Sequence, residues 1–337
     1  YTEQEAKEFI AGPAYYAWQW MSNLFNFGGP VPDHWFEDRV ELAQKINQRM
    51  MSLGIKPVLP GYSGMVPVDF NMKNPGANVI PQGNWCGFKR PDMLDPNDPL
   101  FEQFADAFYK EQQKLFGTDI HFYSTDPFHE GGNTSGIDLT KAAQKIQSEM
   151  LKHDSEAVWV LQAWQSNPKP EIIAGLNKEK SLILDLCSEA RYNWENRNGY
   201  DNTPWIWCML NNFGGRIGLH GSLKVIATEP IRALKSQYSD SMKGIGLTME
   251  GIESGNAVLY DLMTEMAWRS EYFDLDEWLH KYVERRYGQD NAKAQEAWKL
   301  LKNSAYNMPE GHVQFGGSIS VINARPAETI DSAAMAG

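Results

Sequence analysis

The sequence predicts an α/β protein of the (β/α)8 TIM-type barrel class, truncated at its N-terminal strands and followed by the start of a helical region. Three observations predict it. Short β-branched and aromatic runs alternate with patterns of helical period, which is how parallel βαβ units read. Six such runs are of barrel type, where a closed barrel wants eight. Two glutamates, Glu130 and Glu250, each follow one of these runs although 120 residues separate them. A fold that gathers the C-terminal ends of its strands at one mouth gives them a common task.

Taken in order, the chain opens on a helical stretch, Glu3 to Ile10, instead of a strand, so it reads as beginning inside its own barrel. From His34 to Leu53, Phe36, Val40, Ala43, Ile46 and Met50 recur at helical steps until Gly54 ends the helix. Ile55 to Leu59 is a short strand. The Pro- and Gly-rich stretch from Pro60 to Asp98 is too long for a plain connection and is expected to be functional. Leu100 to Phe116 is a helix carrying Phe101, Phe104 and Phe108, stopped by Gly117. A strand over Ile120 to Ser124 leads to Asp126 and Glu130, and a helix follows from Leu139 to His153. Ala157 to Trp164 is a strand, Glu171 to Leu176 a short helix, and Ser181 to Cys187 and Trp205 to Leu210 are buried strands. A helix from Ser222 to Tyr238 precedes the run Ile245 to Leu247 before Glu250. Helices over Tyr260 to Trp268, Leu275 to Tyr287 and Asn291 to Asn307 complete the pattern. The expected division is residues 1–255 for the barrel portion and 256–337 for its closing helices and the beginning of a C-terminal helical region.

Composition removes several functions. At 337 residues, 42% hydrophobic and 22% charged, the chain has enough apolar material for a sizeable core. A net charge of -12 without clustered Lys or Arg excludes a phosphate-tracking nucleic-acid binder. No apolar run is long enough for a membrane-spanning helix. Cys86, Cys187 and Cys208 have neither metal nor disulfide spacing, and Cys187 and Cys208 read as small buried hydrophobes. His129-Glu130 runs into Gly131-Gly132 rather than the second His of a zinc protease motif. No metal or cofactor is expected. The 12 Trp exceed what core packing ordinarily uses. Trp159, Trp207 and Trp298 read as core, while others at strand ends and in loops offer flat faces suited to a sugar ring.

Two carboxylates flanking one bond are the basic equipment of glycoside cleavage. Asp126, Asp185 and Glu189 also lie near strand ends, where a sugar contact and a structural salt bridge are equally expected. The Asn133-Thr134-Ser135 sequon lies beside Glu130 and is read as incidental.

Seven motifs in order, Gly12-Pro13-Ala14-Tyr15-Tyr16-Ala17-Trp18, Pro57-Val58-Leu59-Pro60, Asp126-Pro127-Phe128-His129-Glu130, Trp205-Ile206-Trp207-Cys208-Met209-Leu210, Asn212-Phe213-Gly214-Gly215, Met249-Glu250-Gly251-Ile252 and Tyr260-Asp261-Leu262-Met263, resemble glycoside hydrolase family 89. The similarity runs from about Glu8 to Arg325; one extra residue near Ser254-Gly255 departs from the pattern. The resemblance implies a retaining exo-hydrolase acting on terminal α-linked N-acetylglucosamine (GlcNAc), outside the cytoplasm. It assigns Glu130 as general acid/base and Glu250 as nucleophile, with carboxyl oxygens about 5–5.5 Å apart. It implies that Trp18, Trp85, His129, Trp164, Leu210 and Asn211 bind the sugar. Heparan sulfate ends and mucin-type glycans both suit the family, and the absence of a basic track inclines the reading to a neutral glycan. Two alternatives are a non-catalytic carbohydrate-binding relative and another barrel hydrolase acting on hexosaminides. Retention of both glutamates opposes the first; the lack of an adjacent Asp-Glu pair opposes a β-hexosaminidase.

Overall fold

Six helices among the described residues start where a short polar side chain, that of Thr2, Asp98, Asp138, Ser222, Asp274 or Asn291, closes a free backbone N–H. The computed structural model, which describes residues 1–214, 218–250, 256–309 and 311, shows this at Thr2, whose hydroxyl accepts Glu5 N–H while Glu5 answers the Thr2 N–H. That capping box opens helix α1, Glu3–Phe9. The chain divides into two compact units, Tyr1–Ile183 and Leu184–Gly337.

In the first unit, helix α2 spans Asp33–Ser52 and strand β1 spans Val58–Pro60. Helix α3, Pro99–Phe116, is capped by Asp98 and buries Phe101, Ala105, Tyr109 and Gln112. Beyond Phe101 its buried stripe lies one residue from the expected one, at Ala105 and Tyr109, so Phe104 ends on the exposed flank. Strand β2, Phe122–Ser124, is followed by helix α4, Leu139–His153, capped by Asp138, and by strand β3, Val158–Ala163. Strands β1, β2 and β3 lie parallel in that order, with Val58 opposite Phe122 and Phe122 opposite Val158. Parallel neighbours need a crossover, and α3 and α4 supply the two. The short helix Pro170–Gly175 packs on α4.

The stretch read as a functional loop, Pro60 to Asp98, carries strands of its own. Met65–Val66, Asp92–Leu94 and Val79–Ile80 form a three-stranded antiparallel sheet, and Asn84–Trp85 pairs with Phe88–Lys89 in a hairpin. Pieces of two or three residues are too short to leave a periodic trace in sequence.

Strand β4, Ser181–Asp185, runs through the division. In the second unit, strand β5, Trp205–Met209, is almost wholly buried, with Trp205 and Trp207 at 0% exposure. Trp194 stacks flat on Trp205 at 5.6 Å between ring centres. Burying such a ring contributes about 1.5–3 kcal/mol or more. Helix α5, Leu223–Leu234, leads to strand β6, Met242–Leu247, which lies parallel to β5. Helices α6, Ala257–Met266, α7, Leu275–Tyr287, and α8, Ala292–Lys302, follow. The six expected strands are thus present. Among the described residues, β1 pairs laterally with β2 alone and β6 with β5 alone. Trp159 and Trp298 are buried, as expected.

Candidate active site

The turn after β2 delivers Glu130. Its path is unusual: Phe128 and Glu130 both hold left-handed backbone, at φ +62° and +47°. Gly132 closes the turn because a Cβ there would lie 2.6 Å from Phe128 Cα. The turn is held from outside by one buried guanidinium. Arg90, only 2% exposed, donates from Nη2 to the Glu130 carbonyl at 2.6 Å and from Nη1 to the His129 carbonyl at 3.0 Å. Nη1 also reaches the Ser22 carbonyl and Asn23 Oδ1. Burial pushes the Arg90 guanidinium below its usual range, and the Glu130 charge works against that shift.

Both oxygens of the Glu130 carboxylate accept neutral N–H donors. Asn23 Nδ2 reaches Oε2 at 2.7 Å, and Trp164 Nε1 reaches Oε1 at 3.0 Å. Trp164 follows β3 directly, at the strand end where the sequence placed it. His129 is 2% exposed, and burial holds its imidazolium pKa down. Trp85 stands half-buried on the hairpin that leads into Arg90, and Trp18 is half-buried with its carbonyl bonded to Asn23 N–H. The first unit therefore brings Glu130, His129 and Trp164 into one bonded cluster. Asn23 and Arg90, which the sequence reading did not single out, complete it.

In the second unit, Glu250 lies three residues beyond β6 and its carboxylate Oε2 accepts Gly214 N–H at 3.0 Å. Its own N–H donates to the Asn212 carbonyl at 3.3 Å. The turn that makes both bonds begins at the end of β5 and is set by Glu189. One oxygen of Glu189 accepts Leu210 N–H at 2.8 Å and Asn211 N–H at 2.6 Å. Asn211 holds φ +60°, which turns the chain out of the strand. Leu210 and Asn211 are thus buried beside Glu189. Burial raises the Glu189 carboxyl to about 7. The motif residues Gly215, Gly251 and Ile252, and the extra residue near Ser254-Gly255, lie outside the described residues.

Asp126 and Asp185 bond to N–H groups that hold their own loops. Asp126 accepts Gln162 N–H at 2.7 Å, and burial raises it to about 7. Asp185 accepts Trp194 N–H at 2.8 Å, and burial raises it to about 6.

A family model, the alpha-N-acetylglucosaminidase (NAGLU) tim-barrel domain, matches residues 1–270, and the C-terminal domain of the same family matches residues 278–336. The chain belongs to the alpha-N-acetylglucosaminidase family. Its fold is that of the family's barrel domain. The Homo sapiens alpha-N-acetylglucosaminidase is 35% identical over 342 residues, covering 97% of this chain and 46% of that protein. A family 89 glycoside hydrolase from Clostridium perfringens, in complex with 2-acetamido-1,2-dideoxynojirmycin, superposes with a TM-score of 0.92 at 46% identity. That match covers 100% of this chain and 38% of the other. A variant of the clostridial protein with two glutamates changed to glutamine, in complex with its substrate GlcNAc-alpha-1,4-galactose, superposes at 0.91 with 46% identity, covering 99% and 38%. The chain thus spans less than half the length of these alpha-N-acetylglucosaminidase-family relatives.

Proposed function

We propose that the protein is a retaining exo-acting α-N-acetylglucosaminidase, with Glu250 as nucleophile and Glu130 as general acid/base. The observation that carries the reading is the Glu130 carboxylate, gripped at both oxygens on a strained turn at the end of a barrel strand, in a chain of this family. Strain of that kind persists where the surroundings over-determine it, and it clusters at functional sites.

The chemistry demands two protein carboxylates. In a β-glycoside of GlcNAc the 2-acetamido oxygen attacks from behind the leaving group. In the α-anomer the acetamido group and the aglycone lie on the same face, so backside attack falls to the enzyme. Glu250 Oε attacks C1 while Glu130 gives its proton to the departing glycosidic oxygen. The C1–O bond breaks and a β-linked glycosyl ester forms. Glu130, now ionised, takes a proton from water, whose oxygen attacks C1 from the α face. The ester breaks, α-GlcNAc leaves, and Glu250 is again a carboxylate. Gly214 N–H, bonded to Oε2, orients the Glu250 carboxylate for this cycle.

Trp18, Trp85 and Trp164 supply ring faces for the sugar, and His129, Leu210 and Asn211 are the other residues assigned to binding it. The clostridial relative's neutral disaccharide supports a neutral glycan, and the family resemblance supports a secreted, periplasmic or lysosomal location. Residues 1–255 form the barrel portion and 256–337 the closing helices and the beginning of a helical region. The test is proton NMR of the whole protein acting on GlcNAc-α-1,4-galactose. Initial release of α-GlcNAc is expected; β-GlcNAc first would make the enzyme inverting, and no release would remove the assignment.

A further inference from the structure

Asn23 precedes Glu130 by 107 residues, yet it is wholly buried against it. Its orientation is not arbitrary. Asn23 Oδ1 accepts Arg90 Nη1 at 3.0 Å, and a guanidinium has only donors to offer. The amide oxygen must therefore face Arg90, which turns the NH2 group toward Glu130 Oε2 at 2.7 Å.

We propose that Arg90 and Asn23 are a positioning pair that keeps Oε2 of Glu130 as the acceptor oxygen through the whole reaction, so that Oε1, beside the Trp164 indole, carries and delivers the proton. The inference rests on the acid/base reading of Glu130 given above. A protonated carboxyl has one C=O and one O–H oxygen, and the C=O oxygen is the better acceptor. Of the two donors, Asn23 makes the shorter bond and is the more buried. Its donor strength is raised because Arg90 draws electron density through the amide. Trp164 is the more exposed partner, and an oxygen that bears a proton retains a lone pair for the indole N–H.

The placement of the positive charge matters equally. Arg90 bonds to the main-chain carbonyl of Glu130 and to the Asn23 amide oxygen, whose NH2 group in turn bonds the carboxylate. One amide therefore separates guanidinium from carboxylate. At that remove the cation favours the carboxylate left after proton delivery without locking it into an ion pair. The same guanidinium pins the left-handed main chain at Glu130, so backbone and side chain are aimed by one group.

The test uses the whole enzyme with Asn23→Ala, the isosteric Asn23→Asp, and Arg90→Lys. Specificity constants are measured across pH on GlcNAc-α-1,4-galactose, whose leaving group needs a proton, and on 4-nitrophenyl α-GlcNAc, whose leaving group needs little. Asn23→Ala should lose about ten- to a hundredfold on the disaccharide and much less on the nitrophenyl glycoside. The alkaline limb of the disaccharide profile should move to higher pH, because a carboxylate deprived of a donor holds its proton longer. Asn23→Asp should move the limb the same way through like charge, and it serves if the alanine variant does not fold. Arg90→Lys, which keeps the charge, should fall between wild type and Asn23→Ala. Equal losses on both substrates with an unmoved limb would reduce the pair to packing and overturn the inference alone. A wild-type enzyme that releases GlcNAc from neither substrate overturns the acid/base reading, and this inference with it.

Discussion

At Glu130 and Phe128 the main chain adopts a conformation that costs an L-residue about 1–2 kcal/mol each. Arg90 and Asn23 offset that cost and orient the carboxyl, which makes Glu130 the residue where the chemistry is most open to test. In the whole enzyme, Glu250→Ala should lose activity on every α-N-acetylglucosaminide, whatever the leaving group. Glu130→Ala should accumulate glycosyl-enzyme on 4-nitrophenyl α-GlcNAc, and azide should restore turnover with the α-azide as product, since it attacks a β-linked ester. The Glu250 variant with azide should give the β-azide by single displacement. A β-azide from the Glu130 variant would exchange or remove the assignments. Glu130 and Trp164 were legible in sequence because each ends a strand run. Asn23 and Arg90 were not: Arg90 follows Lys89 just past a hairpin, where an arginine reads as solvated, and only tertiary packing buries it beneath a turn 40 residues later.

Among elements, those bounded by a strong cap and a clean period matched their reading. Leu139–His153 and Leu275–Tyr287 start at Asp138 and Asp274 and end where expected. Two helices stop early for a local reason. Ser236 Oγ bonds to the Ala233 carbonyl and accepts Tyr238 N–H, and Ser304 Oγ bonds to the Leu300 carbonyl. Such side chains compete with the helical ladder and end α5 at Leu234 and α8 at Lys302. The turn after β5 is the element with a distinctive pH response. Glu189 is about 7 in the folded chain against about 4.3 when unfolded. A raised carboxyl contributes stability that is full below the unfolded value and is lost as pH rises through the folded one. Glu189→Gln imitates the protonated form and still accepts the two N–H bonds with its oxygen. It should melt several degrees above wild type at pH 8, with the gap closing toward pH 4. Calorimetry across that range checks it, and a gap independent of pH would remove the titration of Glu189 as the cause.

Across the molecule, the unexpected exposure is apolar. Helix α2 buries no residue fully and leaves Leu42 and Ile46 43% and 48% exposed, while Val58 on β1, which among the described residues pairs with β2 alone, is 49% exposed. A strand edge without a lateral partner and an exposed apolar helix face each invite association with another chain. The 337-residue chain alone should therefore self-associate at micromolar concentration. Light scattering on Leu42→Lys with Ile46→Lys should show less association at an unchanged melting temperature. Equal association in both proteins would place the contact elsewhere. The barrel class was readable because alternation recurs over the whole chain. The exposure of α2 was not, because its apolar spacing reads the same whether or not the face is covered.

The indole hydrogen bond to Glu130 has an optical consequence. Indole emission responds to the field along the ring, and Trp164 holds its N–H against the Glu130 carboxylate, which under the proposed acid/base role alternates between charged and neutral. Subtracting the spectrum of Trp164→Phe from that of the intact protein isolates one of 12 emitters. On the proposed role of Glu130, the fold thus carries its own label-free reporter of the proton's whereabouts.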